Sequence, residues 1–395
     1  MKTSLVAIAA SLALLPTHVA AQDSLPADTP TTDDAAPPLQ TRFDGAAPDI
    51  GSAPLNGARL GSGTLRRRAL SSSDTAAILA SLPGVAANGG GGFSSMPALR
   101  GLTEQRIRIT LDGIPVDIAC PNDMNTPLSY TDPQTVGSIA VVPGVSPVSM
   151  GGDNIAGIIA VESAMPRFAV DGGTLVTGEA SSFYRSNGDA FGGGVTLTVA
   201  GKRISATYSG SYTQSDNYDG GGNRGVVRST EYAKTDHQLA LAAQTRLGLF
   251  ELKGGYHFSP YEGFPNQYMD MTSNRSWFLN GRYRGTFAWG DVDASVGYRD
   301  TAHRMDFLAD KQPGSMPMNT QIHSFTSAMK LSLPLSPHDT LRVGGDYQHQ
   351  GMDDWWPPVA GSMMMGPNPF ININNGRRDR LGLFGERGSD LSLIN

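Results

Sequence analysis

The sequence predicts a small α+β domain followed by a long series of antiparallel β-strands, which we interpret as part of a transmembrane β-barrel. Glycine and proline are abundant, with 48 and 26 of 395 residues, a composition that disfavours a helical protein. From about residue 174 onward, apolar and polar residues alternate with the period of a β-strand. No segment after residue 21 approaches the ~20 apolar residues of a membrane-spanning helix.

The N-terminus reads as an export signal. Residues 1–21 combine a basic start, an apolar run at 5–15 and small residues at Val19 and Ala21, which suits cleavage before Gln22. The apolar run is too short to span a bilayer. We therefore expect residues 1–21 to be a signal peptide and the protein to be exported.

Two segments of different composition follow the signal peptide. Residues 22–71 are rich in Ala, Pro, Asp and Thr and have no periodicity, which predicts a mobile N-terminal arm. Residues 72–168 predict a compact domain that begins with a short helix, capped by Ser72 or Ser73 and closed by Pro83. Three short strands are expected after it, at 106–111, 139–142 and 155–162.

Residues 169–386 predict about ten strands. Between 204 and 213, for example, even positions are apolar, aromatic or small and odd positions are Ser or Thr. A soluble β-sandwich would show the same alternation. The length of the strands and the aromatic residues near their ends, such as Trp277 and Trp289, favour a lipid-facing barrel instead. Residues 387–395 lose the alternation and predict an irregular tail.

Composition and motifs exclude several classes of protein. A net charge of −6 provides no basic surface for nucleic acid, and one cysteine allows no internal disulfide. The glycine run 89–92 lacks the Lys and Ser/Thr of a phosphate-binding loop, and the seven histidines form no HExxH motif. We therefore predict that the protein is not an enzyme and has no cofactor.

Sulfur-containing residues are the strongest candidates for binding chemistry. Cys120 and Met124 lie four residues apart, and His303 and Met305 two apart. Ten of the fifteen methionines fall between 269 and 365. We expect most of them between strands, with Met269, Met271, His303, Met305, Met316 and Met318 in polar or Pro-rich loops. Thiolate, thioether and imidazole together select copper, particularly Cu(I). The alternative is ordinary packing, because methionine and buried free cysteine often fill cores.

Several ordered motifs in the first domain resemble the plug domain of TonB-dependent outer-membrane receptors. They are Leu82–Val85, Ala98–Leu102, Ile107–Pro115, Asp132–Gly144, Ser149–Gly152 and Ala156–Glu162. The resemblance implies a plug inside an outer-membrane barrel of about 22 strands, ligand binding on the outer side, and the TonB energy-transducing complex as partner. We identify no TonB box between residues 22 and 70. Ten strands then represent an incomplete barrel, and we expect a truncated chain.

The sulfur-containing residues and His303 resemble the metal-binding set of the copper-receptor branch of this family. In that branch a plug CxxxM and a barrel HxM share the ion, which maps onto Cys120, Met124, His303 and Met305, with Met269 or Met271 as a further thioether. We therefore predict energised uptake of a metal or metal complex, with copper favoured as the transported ligand. The alternatives are a ferric-siderophore receptor, which would hold its ligand with aromatic and Arg side chains, and a passive porin or inert truncated fragment.

Overall fold

A computed structural model describes residues 57–170, 172–311, 316–362 and 365–389. The predicted signal peptide, residues 22–56 of the predicted arm and residues 390–395 of the predicted tail lie outside the described residues. Within the described ranges, no helix has the length and apolar character to cross a membrane.

The first domain is built on a five-stranded sheet with the strand order β1-β6-β7-β4-β5. Strands β6 and β7 are almost continuously apolar because both faces of the sheet are covered, and Ile139 and Ile159 are fully buried. The elements are β1 (Ala58–Gly61), α1 (Ser62–Ala69), α2 (Thr75–Leu79), β2 (Val85–Asn88), β3 (Met96–Leu99), β4 (Ile107–Leu111), β5 (Ile114–Pro115), β6 (Ser138–Pro143) and β7 (Gly157–Glu162), with 3-10 turns at Glu104–Arg106, Pro127–Tyr130 and Val148–Met150.

Two expectations for the start of this domain are wrong. Residues 58–69 were expected in the mobile arm, but β1 pairs with β6 and Leu65 of α1 is fully buried in the core. The first predicted helix is shorter than expected and is capped by Asp74, whose carboxylate accepts hydrogen bonds from two backbone N–H groups of α2. Asp74 is therefore the residue that satisfies the free N–H groups of the first turn.

The second part of the chain forms one ten-stranded antiparallel sheet, which we call the wall. Each strand pairs with the next along the chain, confirming the ten predicted strands. The strands are β8 (Leu175–Arg185), β9 (Ala190–Ala200), β10 (Ile204–Ser215), β13 (Tyr232–Thr245), β14 (Gly248–Glu262), β15 (Asp270–Phe287), β16 (Gly290–Asp306), β17 (Met318–Pro334), β18 (Asp339–Trp356) and β19 (Phe370–Ser389), with a small hairpin of β11 (Asp219–Gly220) and β12 (Gly225–Val226). Because β19 continues to Ser389, the expected loss of the strand pattern at residue 387 is wrong for 387–389.

The two faces of the wall differ in chemistry. Leu239, Leu252 and Leu279 are about half exposed on the outer face, whereas polar residues such as Lys234 and Thr301 are buried on the inner face against the first domain. A soluble sandwich would bury its apolar face instead. The β-sandwich alternative is therefore excluded.

The two rims of the wall also differ. One rim carries short turns, at 201–203, 246–247, 288–289 and 335–338. The other, which we call the long-loop rim, carries most of the longer connections, at 216–231, 263–269, 307–317 and 357–369.

Ion pairs join the first domain to the inner face of the wall. Arg282 of β15 pairs with Glu162 of β7 at 3.3 Å and with Asp293 of β16 at 2.8 Å. Lys253 of β14 pairs with Asp112, which follows β4, at 2.5 Å. These cations neutralise buried carboxylates that would otherwise be costly to enclose, and they fix the position of the first domain inside the wall.

Candidate metal centre

Five of the six predicted site residues pack into one buried cluster, together with Met318. We call these side chains, Cys120, Met124, Met269, Met271, Met305 and Met318, the sulfur cluster. Cys120, Met271, Met305 and Met318 are at most 2% exposed, and Met124 and Met269 are partly buried at the edge. Phe93, Tyr232, Phe264 and Trp356 pack around the sulfur-containing side chains.

Strand register aligns three of the thioethers. Met271 of β15 lies directly opposite Met305 of β16, and Met305 lies directly opposite Met318 of β17. Directly opposed residues have Cβ atoms about 5 Å apart. The three side chains therefore form a row across three strands, at the long-loop rim and on the inner face. The expectation that Met271, Met305 and Met318 lie in loops is wrong, because strand pairing continues to these residues at the rim.

The part of the cluster that belongs to the first domain is a tight turn. The backbone N–H of Asp123 donates to the carbonyl of Cys120 at 3.0 Å, and Asp123 has a φ of 53°, in the left-handed region. This turn brings Met124 back toward Cys120. Burial raises the pKa of the Cys120 thiol to about 11, although backbone N–H groups of Met124 and Asn122 oppose the rise. The thiol is therefore protonated at neutral pH.

A direct hydrogen bond links the first domain to the row of thioethers. The Nδ2 group of Asn125 donates to Sδ of Met271 at 3.2 Å, and Asn125 is fully buried. The Asn125 carbonyl oxygen in turn accepts from the hydroxyl of Ser129. Neither Asn125 nor Met318 was predicted from the sequence as a site residue, although Met318 belongs to a Met-Pro-Met motif.

His303 lies on the same inner face of β16, two residues before Met305 and so roughly 6.6 Å from it along the strand. The side chain is 2% exposed, and in the described part of the chain neither ring nitrogen has a hydrogen-bond partner. Buried polar groups are paired in the great majority of cases because an unpaired one costs free energy. The imidazole is therefore available to a ligand.

The neighbours of His303 add further unpaired polar atoms. His303 is directly opposite Asn274 on one side and Thr320 on the other, and Thr320 is opposite Asp354. Nδ2 of Asn274, Oδ1 of Asp354 and Nε1 of Trp356 lack partners in the described chain. Unpaired atoms thus concentrate beside the sulfur cluster.

The donor set of the cluster is soft. Within the described ranges, no group of three or more His, Cys, Asp or Glu side chains is arranged to hold a metal ion. The cluster instead offers one thiol and several thioethers, with one imidazole nearby, a set that suits Cu(I) better than calcium, magnesium or iron. Among the other loop methionines, Met365 is buried outside the cluster, and Met363 and Met364 lie outside the described residues.

A globular domain packed against the polar inner face of an antiparallel sheet, with an apolar outer face, has the architecture of a plugged β-barrel. Residues 60–158 match the family described as the TonB-dependent Receptor Plug Domain. The match covers the segment in which the sequence motifs of a plug domain were identified. No curated protein matches the sequence.

Solved structures have the same fold. The chain is similar to the copper transporter OprC, with 23% identity and a TM-score of 0.71 over 85% of this chain and 53% of that one. It is also similar to a mutant of the ferric enterobactin receptor PfeA from Pseudomonas aeruginosa, with 16% identity and a TM-score of 0.64 over 87% and 56%. The FrpB iron transporter from Neisseria meningitidis matches with 17% identity and a TM-score of 0.57 over 75% and 49%. The chain thus spans about half the length of these proteins, and the likeness concerns the fold alone.

Proposed function

We propose that this chain is part of an outer-membrane receptor that takes up copper as Cu(I), driven by the TonB energy-transducing complex. The observation that carries the proposal is the sulfur cluster, in which Cys120 and Met124 of the plug meet Met271 and Met305 of the wall. His303, with both ring nitrogens unpaired, lies on the same strand face as Met305.

The chemistry of binding follows from these side chains. Cys120 loses its proton and provides a thiolate, whose negative charge offsets the positive charge of Cu(I) in a buried site. Met124 and Met305 provide neutral thioethers, and His303 provides an imidazole nitrogen. Met271, or Met269 at the edge of the cluster, is the further thioether. No carboxylate is needed, which discriminates against hard cations.

Division of the ligands between plug and wall supports a release mechanism. Cys120 and Met124 belong to the plug, whereas His303 and Met305 belong to β16. Any displacement of the plug therefore separates the two halves of the site and lowers its affinity. The cluster lies at the long-loop rim, and in outer-membrane barrels the longer loops face the exterior, so the ion would enter from outside the cell.

The alternative function for a receptor of this fold is uptake of a ferric siderophore. Similarity to PfeA, a ferric enterobactin receptor, and to FrpB, an iron transporter, supports this alternative. Such a receptor does not need the sulfur cluster. A deletion strain that loses growth on a ferric chelate, but not on limiting copper, would favour this alternative over the copper receptor.

Metal analysis tests the copper proposal. The full chain and its Cys120→Ser variant are purified in detergent, incubated anaerobically with Cu(I), desalted and analysed by mass spectrometry. Serine has a similar size but a hard hydroxyl, so packing is nearly preserved while Cu(I) affinity falls. A Met165→Leu variant, which changes a methionine outside the cluster, is the control and should retain copper. Equal copper in the wild type and Cys120→Ser, or none in either, contradicts the proposal.

A further inference from the structure

A cavity lies beside the sulfur cluster. It has a volume of about 580 Å³, within the usual range of pockets for small organic ligands. Its walls come from the plug residues Ser71–Ser73 and Gly89–Gly92 and from wall residues near the long-loop rim, including Arg185 and Tyr232. Four successive glycines mean that backbone rather than side chains forms one wall.

The charge of the cavity is unusual for an acidic protein. Arg185 is the one charged side chain among the described residues that line the cavity, and no Asp or Glu lines it there. The other lining groups include serine, threonine and tyrosine hydroxyls and two Asn amides. A ligand in this cavity therefore meets one positive charge and several hydrogen-bond donors.

Arg185 is held rigidly but is not neutralised. Its guanidinium donates to the Ser73 hydroxyl at 2.8 Å, the Tyr232 hydroxyl at 3.0 Å and the Ala69 carbonyl at 3.3 Å, all neutral groups. The Phe183 ring lies 4.1 Å from its central carbon. A guanidinium has about five N–H donors, so donors remain for a ligand. A fixed, unpaired guanidinium is suited to a carboxylate.

The cavity and the sulfur cluster share one wall. Tyr232, which lines the cavity, packs edge-on against Phe93 with ring centroids 5.7 Å apart, and both rings contact the sulfur cluster. Gly92 fits against this pair only because it lacks a side chain, since an added Cβ would lie 2.0 Å from the Tyr232 ring. A molecule in the cavity is therefore separated from the thiol and thioethers by one layer of side chains.

We propose that this cavity binds the organic carrier of the metal, a small carboxylate-bearing thiol compound that delivers Cu(I) to the sulfur cluster. The proposal rests on the proposed copper function. Transfer requires the Phe93 and Tyr232 rings to move aside, so that the carrier sulfur reaches Cys120. It is a ligand exchange without change of oxidation state: the bond from copper to the carrier sulfur breaks, a bond from copper to Cys120 forms, and the Cys120 proton passes to the carrier thiolate. The carboxylate of the carrier pairs with Arg185.

Binding of a metal-free carrier tests the cavity on its own. Isothermal titration of the full chain in detergent uses reduced glutathione, which carries two carboxylates, and cysteamine, a thiol with none. We expect glutathione to bind and its affinity to fall with ionic strength. Arg185→Gln should weaken it about tenfold or more, as expected for loss of a charged hydrogen bond. Arg203→Gln removes the same charge at the opposite rim, at an exposed turn, and should have no effect.

A second variant protects the test against misfolding of Arg185→Gln. Ser71→Asp leaves Arg185 intact but places a carboxylate in the cavity wall, and it should also weaken glutathione binding. Absence of glutathione binding to the wild type, equal binding of cysteamine, or unchanged affinity in both cavity variants overturns the proposal.

Copper transfer separates this proposal from the metal centre. Arg185→Gln should slow copper loading from the Cu(I)–glutathione complex but not from Cu(I) in acetonitrile, whereas Cys120→Ser should abolish retention from both while leaving glutathione affinity unchanged. Equal loading rates from the glutathione complex in wild type and Arg185→Gln overturn the carrier proposal and leave the metal centre intact. Failure of the wild type to retain copper from either source overturns the copper function itself.

Discussion

The pH dependence of copper affinity tests the role of Cys120. Burial raises the pKa of the Cys120 thiol to about 11. Because the thiolate is the metal ligand, each copper ion that binds below this pH displaces one proton. Lower pH favours the protonated thiol and weakens binding, and higher pH strengthens binding until the pKa is passed.

The raised pKa sets the size of the effect. The apparent association constant should rise about tenfold per pH unit, or about 100-fold between pH 7 and pH 9. Neutral pH is about four units below the Cys120 pKa of about 11, so the cost of removing the thiol proton weakens apparent binding by about 5 kcal/mol. If the thiol had its unperturbed pKa of about 8.5, the copper affinity would instead level off near that pH.

Competition with a coloured Cu(I) chelator measures this dependence. The affinity is determined anaerobically between pH 7 and pH 9.5, a range above the ordinary pKa of imidazole. We expect one proton released per copper ion across the range in the wild type, and no such release in Cys120→Ser. Affinity that levels off near pH 8.5, or the same slope in Cys120→Ser, would refute the reasoning.

Three further changes test the packing around the site. Met305→Leu preserves volume, so the free energy of unfolding should change by less than about 1.5 kcal/mol, while Cu(I) affinity falls at least about tenfold. Unchanged affinity in the competition assay would show that Met305 is not a ligand. Gly92→Ala places a Cβ 2.0 Å from Tyr232, whereas a Cβ at Gly90 would lie 3.5 Å from its nearest neighbour. In a denaturation assay, Gly92→Ala should therefore lower the free energy of unfolding by about 1–3 kcal/mol, and Gly90→Ala should not. Equal losses in the two variants would refute the close packing. Arg282→Ala leaves the buried carboxylates of Glu162 and Asp293 unpaired and should lower the free energy of unfolding by about 3–5 kcal/mol. The loss should appear as faster hydrogen exchange in the plug. Unchanged exchange would contradict the anchoring role of Arg282.

The wall could be predicted from the sequence because each strand separates two environments. Outer residues such as Leu252 are exposed and apolar, while inner residues are polar and contact the plug. Apolar and polar residues therefore alternate clearly along each strand. Strand β1 and helix α1 were not predicted, because β1 has four residues and α1 buries little besides Leu65 and Ala69. Their structure depends on pairing with β6, about eighty residues away in sequence, which local patterns do not reveal.

The candidate site, too, could be predicted from the sequence only in part. Residue chemistry and spacing predicted Cys120, Met305 and His303 as ligands, and the structure places Cys120 and Met305 in the sulfur cluster, with His303 two residues before Met305. Met318 joins the cluster through the register of β16 and β17, and Asn125 joins it because the plug docks on the wall at Met271. The cavity around Arg185 could not be predicted from the sequence either, because its lining residues come from separate segments of the plug and the wall.

The central claim is that plug and wall side chains bind one copper ion together. Anomalous scattering at the copper absorption edge, measured on crystals of the protein grown with Cu(I), tests it most directly. We predict one strong anomalous peak within bonding distance of the Cys120 and Met124 sulfurs, the Met305 sulfur and the His303 ring. A peak bound by plug or wall residues alone, or no peak at Cys120, would contradict the account.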